Sequence, residues 1–318
     1  MPARPIEGAI VTAPEQVMVG GFTLDDTVLL DNRILRKAPG GNALYSAVGA
    51  RLAGGRPGLA SPVGRDYPQE YLDLMAHAGF DLSGVPRLDT PSMHIWALQE
   101  GPNRRQLIYW LDSGRNVDLD PLPEQIPPAW RAAAGVHIAG IPVPTQQAIA
   151  SVFDRTRTVI TLDASYVPGH IELDRERREA LLGQVTAFLP SREEVQAIWG
   201  RQPSAETCRF LGRFGPEVVA IKLGDEGALV WSARSDQTWH VPACHVQVVD
   251  TTGAGDAFCG GFCTVYARNQ DPVRATVAGA VSASFVIADF GGIHALEISP
   301  ATAEARAAEM LPQVRSVG

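Results

Sequence analysis

Short apolar runs punctuated by glycine and proline mark the first third of the chain. Val17-Met18-Val19-Gly20-Gly21 reads as a buried strand running into a glycine turn. Between Asp25 and Lys37, the apolar Val28, Leu29, Leu30, Ile34 and Leu35 lie among Asp31, Asn32, Arg33 and Arg36. That pattern predicts two short strands turning at Asp31-Asn32. Pro39-Gly40-Gly41 breaks it, and an alanine-rich helix is predicted over Asn42–Leu52, ending near Gly54-Gly55. A strand over Gly58–Val63 and a helix over Gln69–His77, closed by Gly79, come next. His94–Leu98 and Leu107–Leu111 flank Gly101-Pro102-Asn103 and predict a second hairpin. The segment from Met1 to Pro14 reads as a tail.

The rhythm then becomes strand, helix, strand, helix. Strands are predicted at Gly135–Ala139, Val159–Asp163, Ala187–Leu189, Val218–Lys222 and Ala228–Trp231. Helices are predicted at Thr145–Thr156, Arg175–Leu182, Glu193–Trp199, Ala205–Arg213, Ala254–Asn269, Pro272–Asp289 and Thr302–Met310. This alternation implies an α/β fold with a doubly wound, mostly parallel sheet and helices on both faces. The two hairpins, about 24–38 and 92–112, do not fit it. They are expected to form a small antiparallel flap inserted in a single domain spanning 1–318. Such a flap is a natural lid over the strand C-termini, where doubly wound sheets bind ligands.

Composition narrows the function classes. The 318 residues are 45% hydrophobic and 19% charged, ordinary for a globular protein large enough to need no disulfide or structural metal. A net charge of −8 argues against nucleic-acid binding, which needs a basic face. No apolar run approaches a membrane span, and the N-terminus lacks the pattern of a secretory leader, so the cytoplasm is the expected location. Cys208, Cys244, Cys259 and Cys263 form no CxxC pair or zinc pattern and read as buried free thiols.

The strongest chemical signal is Asp250-Thr251-Thr252-Gly253-Ala254-Gly255-Asp256, predicted to link an apolar strand, Val246–Val249, to the helix beginning at Ala254. A glycine loop entering a helix presents bare N–H groups and the positive end of the helix dipole, which is an anion site. Asp256 stands in the first helical turn. A carboxylate is a poor phosphate ligand but a good base for the proton of an attacking hydroxyl. The helix N-terminus favours its charged form. The plainer alternative is a capping aspartate beside a tight turn. Gly260-Gly261 weighs against it, because each glycine costs about 1 kcal/mol of helix propensity and implies close packing of that helix.

The same string resembles the C-terminal signature of the ribokinase-like (PfkB-type) carbohydrate kinase family. Gly40-Gly41-Asn42-Ala43, with Ala47 and Ala50-Arg51-Leu52, resembles its N-terminal signature, and Val63-Gly64-Arg65-Asp66 with Gly79 fits between them. The resemblance spans roughly Val17 to Gly292. It implies an ATP-dependent kinase acting on a hydroxyl of a small sugar or sugar-like substrate. Asp256 would be the catalytic base, and Gly253, Ala254 and Gly255 the anion hole for the transferred phosphoryl group. Asp25, with Asp26 as its neighbour, matches a carboxylate that accepts sugar hydroxyls, and Gly41 and Asn42 match the same pocket. Asn42 could equally be a helix N-cap. Lys222, Gly224 and Gly227 resemble the strand and turn beside the nucleotide, unless Lys222 simply points to solvent. Glu194 matches a residue tied to Mg2+, expected to act through water, although Ser191 stands where many members have Asn. Asp250 and Thr252 match positions that hold a monovalent cation such as K+ in some members.

Other departures concern the substrate. Tyr45 replaces a frequent second Asn, Asp163-Ala164-Ser165-Tyr166 lacks a frequent arginine, and Ser282 and Ser284 stand where an adenine-contacting Asn is usual. No P-loop, dinucleotide fingerprint, zinc-protease motif or serine elbow is present. A nucleoside kinase on the same fold is the first alternative, with Trp96, Tyr109 and Trp110 as an aromatic base pocket or as flap packing. A sugar- or nucleotide-binding protein without turnover is the second. Arg36, Lys37, Arg104 and Arg105 either hold a charged substrate or are a solvated edge. Pairing of exposed flap edges would make a homodimer.

Overall fold

The computed structural model describes residues 13–29, 31–101, 104–164 and 171–317. The tail before Ala13, the hairpin tip Pro102-Asn103, and Ser165 and Tyr166 lie outside the described residues. β1 (Gln16–Val19), β2 (Thr23–Val28) and β3 (Ile34–Gly40) lead into α1 (Asn42–Leu52) and β4 (Pro57–Ala60). α2 (Gln69–His77), β5 (Asp81–Gly84), β6 (Met93–Gly101), β7 (Arg104–Tyr109) and the short α3 (Asn116–Leu119) follow. Then come β8 (Gly135–Ile138), α4 (Val143–Ala150), β9 (Val159–Leu162), α5 (Ile171–Leu182), β10 (Ala187–Phe188), α6 (Arg192–Trp199), α7 (Ala205–Gly212) and β11 (Val218–Lys222). β12 (Ala228–Ser232), β13 (Gln237–Val241), α8 (Ala254–Asn269), α9 (Pro272–Val286), α10 (Pro300–Met310) and β14 (Arg315–Ser316) complete the chain.

The main sheet has the order β14-β13-β12-β11-β10-β9-β8-β1-β4-β5. From β11 to β5 every pairing is parallel, and β12, β13 and β14 add an antiparallel edge. Side chains alternate across it with period two. Val17, Val19, Val219 and Ile221 enter one core, and Met18, Val218 and Ala220 enter the other. The Met18 side is covered by α1, α8 and α9, and the Val17 side by α4, α6 and α7.

The two predicted hairpins form a second sheet, β3-β2-β6-β7. Each hairpin is antiparallel, and the two are joined by a parallel β2–β6 pair. The resulting small sheet is therefore mixed.

Gly260 and Gly261 pack as the sequence implies. A Cβ on Gly260 would overlap the carbonyl of Ser46 in α1, and one on Gly261 would come 2.5 Å from Ser282 Oγ in α9. Ser282 donates its hydroxyl to Gly49 O at 3.1 Å, closing the three-helix contact.

One predicted strand is absent. Val246–Val249 joins no ladder, and Val248 is exposed. The free side of β13 is taken by β14, so 246–249 cannot extend the sheet at that edge. The Val249 N–H donates instead to Ile287 O, 2.9 Å away at the end of α9.

Candidate active site

The parallel strands bring β1, β8, β9, β10 and β11 to one carboxyl-terminal edge, and the N-terminus of α8 stands over it. Gly253 is the N-cap of α8, with φ 76° in the left-handed region that a Cβ disfavours. The Tyr45 ring fills the space where that Cβ would lie, and it also comes within 3.0 Å of the equivalent point on Gly292. Tyr45, on α1, thus wedges the glycine loop from one side. On the other, the buried Asp250 accepts the Thr252 N–H at 3.0 Å, forming a tight turn. The amides of Ala254 and Gly255 open the helix, and Asp256 is in its first turn, half-buried. The cradle and the carboxylate expected of the motif are therefore adjacent.

Lys222 does not point to solvent. Its Nζ donates to both carboxylate oxygens of Asp163 at 2.8 Å and approaches Cys259 Sγ at 3.5 Å. Burial opposes its charge, but Asp163, with Cys259 and Glu194, more than offsets that and holds the ammonium above the ordinary lysine range. His137, buried on β8, is driven down to about 3 by burial and by the charge of Lys222, so it is neutral. Sequence reasoning gave Asp163 no role, because its partner stands 59 residues away.

Asp25 and Asp26 occupy opposite faces of β2. Asp25 is buried, and a Cβ on Gly40 would run into its carboxylate. Asp26 accepts the Lys37 N–H at 2.6 Å and faces Arg36 at 3.8 Å. It holds the register shift between β2 and β3, where Lys37 has φ 49°. Asp26 thus has a structural task within the small sheet, while Asp25 lies buried on its other face.

Gly41, with φ 99°, is the N-cap of α1, because a Cβ there would overlap Gly21 O. Asn42 is not the cap. Its Oδ1 accepts the Gly21 N–H at 2.7 Å and its Nδ2 reaches Gly140 O at 3.4 Å. It ties the ends of β1 and β8 to the start of α1.

Gly224 and Gly227, both with positive φ, shape the turn after β11, and Gly227 abuts Val241 O. Arg192 clasps the turn through Leu223 O at 3.2 Å and Glu226 at 2.8 Å. Ser191 and Glu194 form the capping box of α6: Glu194 N–H donates to Ser191 Oγ, and Glu194 Oε2 accepts the Ser191 N–H at 2.6 Å. Burial pushes the Glu194 carboxyl up to about 7, with Asp163 adding and Lys222 opposing. Among the described residues no cluster of three His, Cys, Asp or Glu side chains forms a metal cage. Glu194, with one oxygen beyond its capping bond, suits a Mg2+ that arrives on phosphates and keeps its waters.

The aromatic residues split between the two faces of the small sheet. Trp96 stacks on Trp110 at 6.2 Å, and Arg36 lies over Trp96 at 5.3 Å. By register Trp96 pairs with Asp26, while Tyr109 pairs with Ile95 opposite Asp25. Tyr109 alone of the three shares the face of Asp25. Arg36 and Lys37 are exposed, and the side chains of Arg104 and Arg105 lie outside the described ones. Ser282 and Ser284 are buried in contacts with Gly49 O and with Arg306.

Comparison with known proteins points to one family. The family model of pfkB family carbohydrate kinases matches residues 18–299. A cytidine kinase of Thermococcus kodakarensis is 28% identical over 264 residues, covering 80% of this chain and 89% of the relative. A 2-dehydro-3-deoxygluconokinase of Thermoproteus tenax is 27% identical over 279 residues, covering 83% of each. A candidate ribokinase II of E. coli, solved with ATP and Mg2+, superposes with a TM-score of 0.77 at 17% identity, covering 92% of this chain and 99% of that one. With a glycine loop entering α8, a carboxylate in its first turn and a family match over residues 18–299, the chain belongs to the pfkB family of carbohydrate kinases.

Proposed function

We propose that this kinase transfers the terminal phosphoryl group of ATP to a hydroxyl of a small sugar-like molecule, with Asp256 as general base. The observation that carries the reading is the start of α8, where a left-handed glycine cradle and a carboxylate lie within four residues of each other. In this reading Asp256 takes the proton of the attacking hydroxyl, and the amides of Gly253, Ala254 and Gly255 stabilise charge on the moving phosphoryl group. Asp25 accepts substrate hydroxyls from the small sheet, and Gly41 permits close approach beside it. Asn42 contributes by fixing that corner, with its second amide proton available to the substrate. Gly224 and Gly227 shape the floor under the nucleotide. Glu194 would hold Mg2+ through its water shell, and the ion would supply charge neutralisation at the phosphate oxygens.

The small sheet, about 24–38 and 92–112, acts as a lid on the single domain and excludes water, the competing nucleophile. Its outer face, with Ile34 and Ile108 exposed, supports pairing with a second copy. Asp250 and Thr252 would hold a monovalent cation beside the cradle; equal rates in sodium and potassium would remove that assignment.

A second reading, a nucleoside as the acceptor, is favoured by Tyr109, which is exposed on the Asp25 face and offers a stacking surface for a base. The cytidine kinase relative points the same way. ADP release with ATP and Mg2+ across sugars, sugar acids, sugar phosphates and nucleosides decides between them. Turnover on one class names the acceptor. ATP binding without turnover on any class would contradict the kinase reading in favour of a binding protein.

A further inference from the structure

Lys222 sits at the end of β11 and Asp163 just after β9, with β10 between them. The pair bridges the sheet under the start of α8, and both side chains are nearly buried, at 12% and 9% exposure. A Cβ placed on Gly255 would have three nearest neighbours, all of them Lys222 atoms, with Nζ at 3.4 Å. The positive end of the ion pair therefore faces the backbone of the glycine loop, while Asp163 Oδ2 lies 3.6 Å from Cys259 Sγ, one turn further along α8. The ammonium has Asp163 Oδ1, Asp163 Oδ2 and Cys259 Sγ within reach, so its strongest bonds are spent on Asp163. Swinging out to a nucleotide would strand the buried Asp163 carboxylate, which is costly.

We propose that Lys222 is a positioning residue of the transfer site: held by Asp163 beneath Gly255, its ammonium is a fixed charge under the anion cradle and not a direct ligand of ATP. This deepens the kinase reading and rests on it. A charge already oriented in a water-poor site favours the developing negative charge of the transition state more than the ground state. Its removal lowers turnover and leaves nucleotide affinity in place.

The test compares wild type with Lys222→Met and with Lys222→Met/Asp163→Leu, reading kcat and KM by ADP release, ATP Kd by calorimetry and Tm. Lys222→Met alone leaves a buried carboxylate unpaired, whereas the double variant removes both charges and recovers the lost Tm. We expect kcat to fall about 10- to 100-fold in both variants, while KM and Kd for ATP stay within about 3-fold. An ATP KM raised about 10-fold or more at unchanged kcat would make Lys222 a nucleotide ligand and overturn the proposal. Wild-type kcat in the double variant would show that the pair serves folding alone, and would overturn it too. Wild type without turnover would instead remove the kinase reading, and this role with it; the wild-type trace tells that result apart.

Discussion

At the N-cap of α8, Gly253 holds φ 76° with the Tyr45 ring standing where a side chain would begin. The conformation and the space both require glycine. Gly253→Ala must displace either the loop or the ring, and the loop amides then leave the positions in which they meet the phosphoryl group. The expected result is a kcat lower by about 10²-fold or more in ADP release, with the fold retained by circular dichroism. Unchanged turnover would show that these amides do not set the rate. The glycines of this loop were legible in the sequence because their chemistry is local. The roles of Tyr45, Asp163 and the direction of Lys222 were not, since each depends on a residue brought in from elsewhere in the chain: Gly253 and Gly292 for Tyr45, and an ion pair spanning 59 positions for the other two. The helix cap that stood as an alternative for Asn42 fails for the same reason, its partners being Gly21 and Gly140.

Helix α8 carries the site, and its packing sets where the site is. Gly260 meets the backbone of α1, and Gly49 of α1 meets Ala257, so the two helices approach with no side chains between them. Gly260→Ala therefore forces the helices apart and outweighs the better helix propensity of alanine. A loss of about 1–3 kcal/mol is expected from the denaturant midpoint, whereas a gain in stability would contradict the packing. The boundaries of α1 and α8 were readable from Gly41 and Gly253 at their starts, and the end of α2 from Gly79. β5 was not, being four residues without apolar alternation, Asp81-Leu82-Ser83-Gly84. The apolar Val246–Val249 was misassigned as a strand because hydrophobicity alone says nothing about whether an edge is available. β14 at the far end of the chain occupies the free side of β13.

On the scale of the whole molecule, Asp66 joins the body to the small sheet. It accepts the Ser92 N–H at 2.6 Å, and His94 Nε2 lies 3.1 Å from its other oxygen, where β6 begins. Partial burial works against the charge, but Ser92 and His94 more than offset it and bring the carboxyl from 3.8 down to about 2. A lowered folded value means that this contribution is complete above the unfolded value and is lost as pH falls through about 4 toward about 2. The stability advantage of wild type over Asp66→Asn should therefore be full at pH 5 and shrink steadily on acidification through that window. A pH-independent difference would contradict the assignment. The flap was visible in the sequence as two hairpins out of rhythm, but the parallel β2–β6 seam that makes them one sheet pairs segments too distant for local patterning to show.

The central claim is that Asp256 is the base of an ATP-dependent kinase. Its most direct test is ADP release by wild type and Asp256→Asn on the acceptor found in the panel, with ATP affinity measured alongside. The account predicts a kcat reduced by about 10²- to 10⁴-fold with ATP binding intact. Equal rates in the two proteins would contradict it.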